Sequence, residues 1–119
     1  TKIDVFHCIG ALHHIPNADQ VMERVSQVLS PDGEARLMLY SDNAWRVATG
    51  TKPPHVSEKV EENPFFMRFT RNFDYVGDYA DWYSADKVKF RFGKWFDLVS
   101  FDYICSDNVY AAARLKLKK

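Results

Sequence analysis

Ile3-Asp4-Val5-Phe6-His7-Cys8-Ile9-Gly10-Ala11-Leu12-His13-His14-Ile15-Pro16 is the stretch on which the fold turns. Ile3, Val5, Phe6, Cys8 and Ile9 form a nearly continuous apolar run with β-branched members, broken by Asp4 and His7 and closed by Gly10. Such a run predicts a strand covered on both faces, the environment of a parallel sheet. Downstream, Asn17 stands where a helix cap belongs and Gln20 can bond back to it, while Val21, Met22, Val25, Val28 and Leu29 recur at helical spacing. Ser30-Pro31-Asp32-Gly33 ends that helix, because proline cannot continue it and glycine accepts the positive φ of a sharp reversal. Glu34 to Tyr40 then alternates, with Ala35, Leu37 and Leu39 set against Arg36, Met38 and Tyr40. Strand, helix, strand in this order predicts a right-handed crossover joining a parallel pair.

Periodicity weakens from Ser41 to Tyr83, where Thr49 to Pro54 reads as a loop and Glu58 to Arg71 as a short helix with an aromatic face. Ser84 is placed to cap a further helix in which Ala85, Val88 and Phe92 share a side, and Gly93 falls where a left-handed cap is expected. Trp95 to Ile104 alternates, with Val99, Phe101 and Tyr103 opposite Leu98, Ser100 and Asp102. After the turn formers Ser106-Asp107-Asn108, the residues Val109, Ala111, Ala113, Leu115 and Leu117 line one face of a last strand. The fold class is therefore α/β, a sheet of parallel strands with an antiparallel hairpin at the carboxyl end.

Residues 1–119 read as one domain, since 119 residues of 46% hydrophobic content supply a single core. Sixteen basic residues balance sixteen acidic ones, so no charge excess draws the chain to a phosphate backbone or an anionic membrane. The longest apolar runs fall far short of the roughly 20 residues of a membrane helix, and no signal-like start is visible. A cytoplasmic location is expected. Cys8 and Cys105 lie far apart without a CxxC spacing and read as free buried thiols. Thr1 and Lys2 lead straight into a core strand, which reads as the mark of a truncation.

The stretch from Ile3 to Pro16, with aspartate, apolar strand, glycine and then Leu-His-His, resembles a motif of class I S-adenosylmethionine-dependent methyltransferases. Ser30-Pro31-Asp32-Gly33 stands where that family carries a Lys-Pro-Gly-Gly turn, and the closing hairpin from Trp95 to Leu117 also matches it. The resemblance implies a partial Rossmann-like methyltransferase sheet, in which this chain holds the family's fourth to seventh strands. The glycine-rich turn and the acidic ribose ligand that grip most of the cofactor would lie upstream, and no GxGxxG spacing occurs here.

Carried onto this sequence, the resemblance places Cys8, Ile9 and Gly10 at the methionine end of S-adenosylmethionine, chiefly through backbone groups; Gly10 also reads simply as a turn former. His13 is a candidate polar contact or base at a methyl acceptor, its ordinary pKa lying near neutrality, while capping or a solvent-facing position is the plainer reading of both histidines. Adjacent histidines diverge, so His13 and His14 do not form a helical metal pair. Tyr40, at a strand's carboxyl end, reads either as a border of the acceptor pocket or as an ordinary strand-end aromatic. Residues 42–83, with Phe65, Phe66, Phe69, Phe73, Tyr75, Tyr79, Trp82 and Tyr83 among Arg68, Arg71, Asp74, Asp78 and Asp81, correspond to the family's variable region, either a lid over a small-molecule acceptor or an insertion packed on the sheet. No GxSxG elbow supports a hydrolase. Two functional expectations follow. One is methyl transfer to a small molecule by a longer enzyme of which this chain is a part; the other is a non-catalytic module that forms a homodimer through the Ile3–Ile9 edge.

Overall fold

The computed structural model describes residues 2–73 and 79–118. Four strands, β1 (Ile3–Ile9), β2 (Leu29–Tyr40), β3 (Phe96–Ile104) and β4 (Tyr110–Leu117), form one sheet in the order β1-β2-β4-β3. β1 and β2 run parallel, whereas β4 lies antiparallel between β2 and β3. The expected parallel pair with an antiparallel closing hairpin is thus present, and the last strand inserts beside β2.

Helix α1 (Ala18–Val28) buries Ala18, Met22 and Val25 and ends where Pro31 forbids continuation. Helix α4 (Ala85–Phe92) buries Val88 and Phe92, and Ser84 caps it by accepting the Lys87 backbone N–H at 3.1 Å. These two helices pack with Ala35, Leu37, Leu39, Ala113 and Leu115, the inward set of β2 and β4, into the main core. Alternation along both strands produces that inward row, as period-2 side-chain geometry requires.

A second core forms away from this layer. The chain leaves the sheet at Tyr40, passes through α2 (Asp42–Thr49) and α3 (Phe66–Phe73), and returns at Tyr83, whose N–H donates to the Tyr40 carbonyl at 2.8 Å. Tyr40, Trp45, Val60, Phe66, Phe69 and Trp82 cluster within this excursion. Ser41 caps α2 by accepting the Asn43 N–H at 3.0 Å, and Gly50, with φ near +69°, closes it in the left-handed conformation.

Several expectations are corrected. β1 is not covered on both faces: among the described residues β2 is its sole neighbour in the sheet, and Val5 and Ile9 are 44% and 61% exposed. Only Phe6 and Cys8, opposite Ala35 and Leu37, turn toward the core. Asn17 does not cap α1 through its side chain, which donates to Gln20 Oε1 instead; its carbonyl accepts the Gln20 N–H. Ser30 to Gly33 is an extended bulge, since Ile3 pairs with Leu29 but Val5 with Glu34. Gly33 has no positive φ; a Cβ there would meet Leu29 Cγ at 2.7 Å, so close packing demands glycine. Gly93 is right-handed too, because the chain turns on with the Trp95 N–H bonded to the Phe92 carbonyl. A bulge between Leu98 and Ser100 interrupts the alternation of β3, leaving Val99 and Tyr103 exposed. Cys105 is exposed rather than buried. The aromatic helix expected over Glu58 to Arg71 resolves into a single 3-10 turn (Val60–Glu62) and α3, and the helix α2 was not anticipated. Asp74, Tyr75 and Asp78 lie outside the described residues. Among the described residues no helix is long and apolar enough to cross a membrane.

Candidate active site

The candidate site lies at the carboxyl ends of β1 and β2, where open α/β sheets gather ligands. Gly10 follows β1 with φ near +73°, and its N–H donates to the Met38 carbonyl at 3.1 Å. An added Cβ would meet nothing nearer than Met38 Cε at 4.0 Å, so the backbone angle, not crowding, selects glycine. Cys8 is half-buried on the core side of β1, and Ile9 projects outward opposite Met38. A reversal at Gly10 then leads into the 3-10 turn Leu12–His14.

That turn aims His13 beneath the end of β2. His13 is 1% exposed and stacks on Tyr40, with ring centroids 3.8 Å apart. Its Nδ1 accepts the Tyr40 backbone N–H at 3.0 Å, so the imidazole is neutral, with its proton on Nε2. Burial, reinforced by His14, pushes its pKa down to about 3. The solvent-facing reading of His13 is therefore corrected; His14, half-buried, places Nδ1 3.0 Å from the Tyr79 carbonyl. Tyr40 is 4% exposed and packs between His13, Tyr110 and Phe69.

The His13 carbonyl accepts the Asp81 N–H at 2.7 Å, which carries the site into a buried ionic cluster. Asp81 Oδ1 accepts from Lys87 Nζ at 2.6 Å, and Asp81 Oδ2 accepts from Arg91 Nη1 at 3.1 Å. Arg91 Nη1 also donates to the Tyr83 hydroxyl, and Nη2 reaches Asp19 and the Pro16 carbonyl. Lys87 Nζ sits 4.1 Å from the centre of the Trp82 ring. Burial lowers the Lys87 pKa against the opposing pull of Asp81, and burial with the Asp81 charge raises that of Tyr83. A cavity of about 320 Å³ opens onto this cluster, lined also by Val56, Tyr79 and Phe90.

The sequence brought Cys8, Ile9, Gly10, His13 and Tyr40 forward, and the fold gathers Gly10, His13 and Tyr40 around the two strand ends. It missed the partnership of Asp81 with Lys87 and Arg91. The four-residue spacing that puts both cations on one side of α4 was the available signal, but nothing in the sequence marked Asp81 as their shared anion. Among the described residues no group of three or more His, Cys, Asp or Glu is arranged to hold a metal ion. The turn at Gly10 leaves open space beside its Cα, and the sequence carries no glycine-rich G-x-G-x-x-G cradle for a nucleoside.

No protein-family model matches the sequence, and no curated protein matches it. Solved structures do. PH0226 protein from Pyrococcus horikoshii OT3 aligns over 97% of this chain and 51% of its own, at 17% identity and a TM-score of 0.62. TnmH aligns over 99% of this chain and 31% of its own, at 12% identity and a TM-score of 0.61. A SAM-dependent methyltransferase from Anabaena variabilis ATCC 29413 aligns over 94% of this chain and 48% of its own, at 14% identity and a TM-score of 0.51. The chain thus spans about half or less of the length of these structures. At such identities the likeness is one of fold: the chain has a class I methyltransferase-like fold over that share of their length.

Proposed function

We propose that this chain forms part of a longer enzyme that transfers a methyl group from S-adenosylmethionine to a small-molecule acceptor. The observation that carries this reading is the Gly10 reversal, set at the carboxyl end of β1 beside the His13–Tyr40 stack in a methyltransferase-like fold. A sulfonium methyl is already activated, so the protein's task is to align an acceptor and exclude water. Cys8, Ile9 and Gly10 would line the methionine end of the cofactor. His13, held neutral and fixed by the Tyr40 N–H, positions the turn rather than moving a proton. The segment 42–83, whose described residues include Trp45, Val60, Phe66, Phe69 and Trp82 of a separate core, would cover the acceptor.

Calorimetric titration with S-adenosylhomocysteine tests the reading. Saturable binding near one per chain supports it. No heat at millimolar ligand, in this chain joined to its natural upstream sequence as well as alone, overturns it.

A second reading is favoured by the exposed edge of β1, where Val5 and Ile9 stand open to solvent on a strand that has one neighbour among the described residues. In that reading the chain is non-catalytic and pairs with a second copy along Ile3–Ile9.

A further inference from the structure

Within the ionic cluster, Arg91 reaches two stretches of chain that lie far apart in sequence. From α4 its Nη1 donates to Asp81 Oδ2 at 3.1 Å and to the Tyr83 hydroxyl at 2.8 Å, both on the segment that brings the chain back to the sheet. Its Nη2 donates to the Pro16 carbonyl at 3.4 Å and to Asp19 Oδ1 at 3.3 Å, where the histidine turn runs into α1. Lys87 has a narrower reach, with Nζ on Asp81 Oδ1 at 2.6 Å above the Trp82 ring. The Asp81 carboxylate, which also accepts the Trp82 N–H at 2.8 Å, is fixed by these contacts and is 3% exposed. Its own backbone N–H holds the His13 carbonyl at 2.7 Å, and the Tyr79 carbonyl lies 3.0 Å from His14 Nδ1. The turn Leu12–His14 is therefore gripped at its centre through Asp81 and at its exit through Pro16. Both grips end on one guanidinium, whose side chain is 15% exposed.

We infer that Arg91 is a positioning residue of the candidate site, a clamp that acts through Asp81 and Pro16 to fix residues 10–14 against the end of β2. On its sheet side this reversal is tied by the Gly10 N–H to the Met38 carbonyl and by the His13 ring to Tyr40. Arg91 supplies the opposite side. The fork matters as much as the charge, because a planar guanidinium serves several acceptors in fixed directions, whereas an ammonium is a point charge on a flexible stem. Methyl transfer depends on alignment, and a misplacement of about 1 Å far from the chemistry already costs rate. The inference deepens the methyl-transfer reading and rests on it for what the turn does; what holds the turn rests on the hydrogen bonds alone.

Arg91→Lys keeps a cation beside Asp81 and removes the fork. Amide hydrogen exchange read by NMR on the full chain follows the turn through the Tyr40 and Asp81 amides, which are bonded to His13 Nδ1 and to the His13 carbonyl. Both are expected to exchange about tenfold faster in the variant, while Leu37 and Ala113 in the core keep their wild-type rates. Affinity for S-adenosylhomocysteine, titrated in the chain alone and joined to its natural upstream sequence, should fall about tenfold. Asp19→Asn alters only the half-exposed partner and should change neither quantity. Should Arg91→Lys fail to fold, Tyr83→Phe removes one acceptor of the fork and is expected to give the same local pattern at about threefold. Exchange that rises equally at Leu37 and Ala113, or that does not rise at Tyr40 and Asp81, overturns the inference, as does unchanged affinity in a variant whose turn has loosened. No binding by the wild type overturns the methyl-transfer reading instead, and the exchange comparison then still decides whether Arg91 holds the turn.

Discussion

His13 lies flat against Tyr40, ring centres 3.8 Å apart, and accepts the backbone N–H of the same residue. One residue thus touches both the side chain and the main chain of another at the carboxyl end of β2, which locks the turn after Gly10 to the sheet.

This contact makes stability depend on pH. The His13 pKa falls from 6.5 in the unfolded chain to about 3 in the folded one, so the unfolded state binds the proton first as pH drops. The stabilisation is complete above pH 6.5 and is lost toward pH 3, by about 2 kcal/mol between pH 7.5 and pH 5. Urea unfolding of wild type and His13→Asn at both pH values checks this. Asparagine keeps an acceptor for the Tyr40 N–H but has no proton to gain, so its stability should change less over that interval.

Asp81 is the shared anion of two cations, and its removal leaves Lys87 charged and unpaired in the interior. Asp81→Asn should cost about 3–5 kcal/mol. Adding Lys87→Met removes the stranded charge, and the double variant should regain a substantial part of the loss in thermal or urea unfolding. Additive losses would show that Lys87 draws its stability from elsewhere.

Gly10→Ala asks the chain to hold an ordinary residue at φ near +73°. The expected loss is about 1 kcal/mol of stability. If the turn also borders the cofactor, affinity for S-adenosylhomocysteine should fall by about tenfold. Lost stability with unchanged affinity would confine Gly10 to turn formation.

Val5→Lys places a charge on the open edge of β1. Wild type is expected to sediment as a dimer if the edge pairs with a second copy, and the variant as a monomer. A single unchanged mass for both proteins would dispose of the self-pairing reading.

Local chemistry made the sheet legible. Alternation from Ala35 to Leu39 and from Ala111 to Leu117 gave the inward rows, and Ser84 gave the start of α4, because each is decided by neighbours in sequence. The environment of β1 was misread for the opposite reason: an apolar run records that a strand can be covered, whereas its exposure depends on what stands beside it. Gly93 and Gly33 looked like reversals, yet one continues a right-handed turn and the other admits close packing against Leu29. At the site, Gly10 and Tyr40 could be placed from strand ends alone. Asp81, Lys87 and Arg91 could not be joined, since their meeting depends on the return of the chain at Tyr83.

That return has a consequence for how the molecule can vary. Tyr40 and Tyr83 are hydrogen-bonded, and Ser41 and Tyr83 form a parallel bridge, so the excursion leaves and re-enters the sheet at nearly one point. Its interior is built mostly from its own side chains. Such a segment behaves as an interchangeable cassette: doubling the length of a flexible connection costs only about 0.6 kcal/mol in closure entropy. Exchange of residues 42–80 for an unrelated sequence that meets the same two ends should alter what is recognised above the strands while β1, β2, β3 and β4 keep their register.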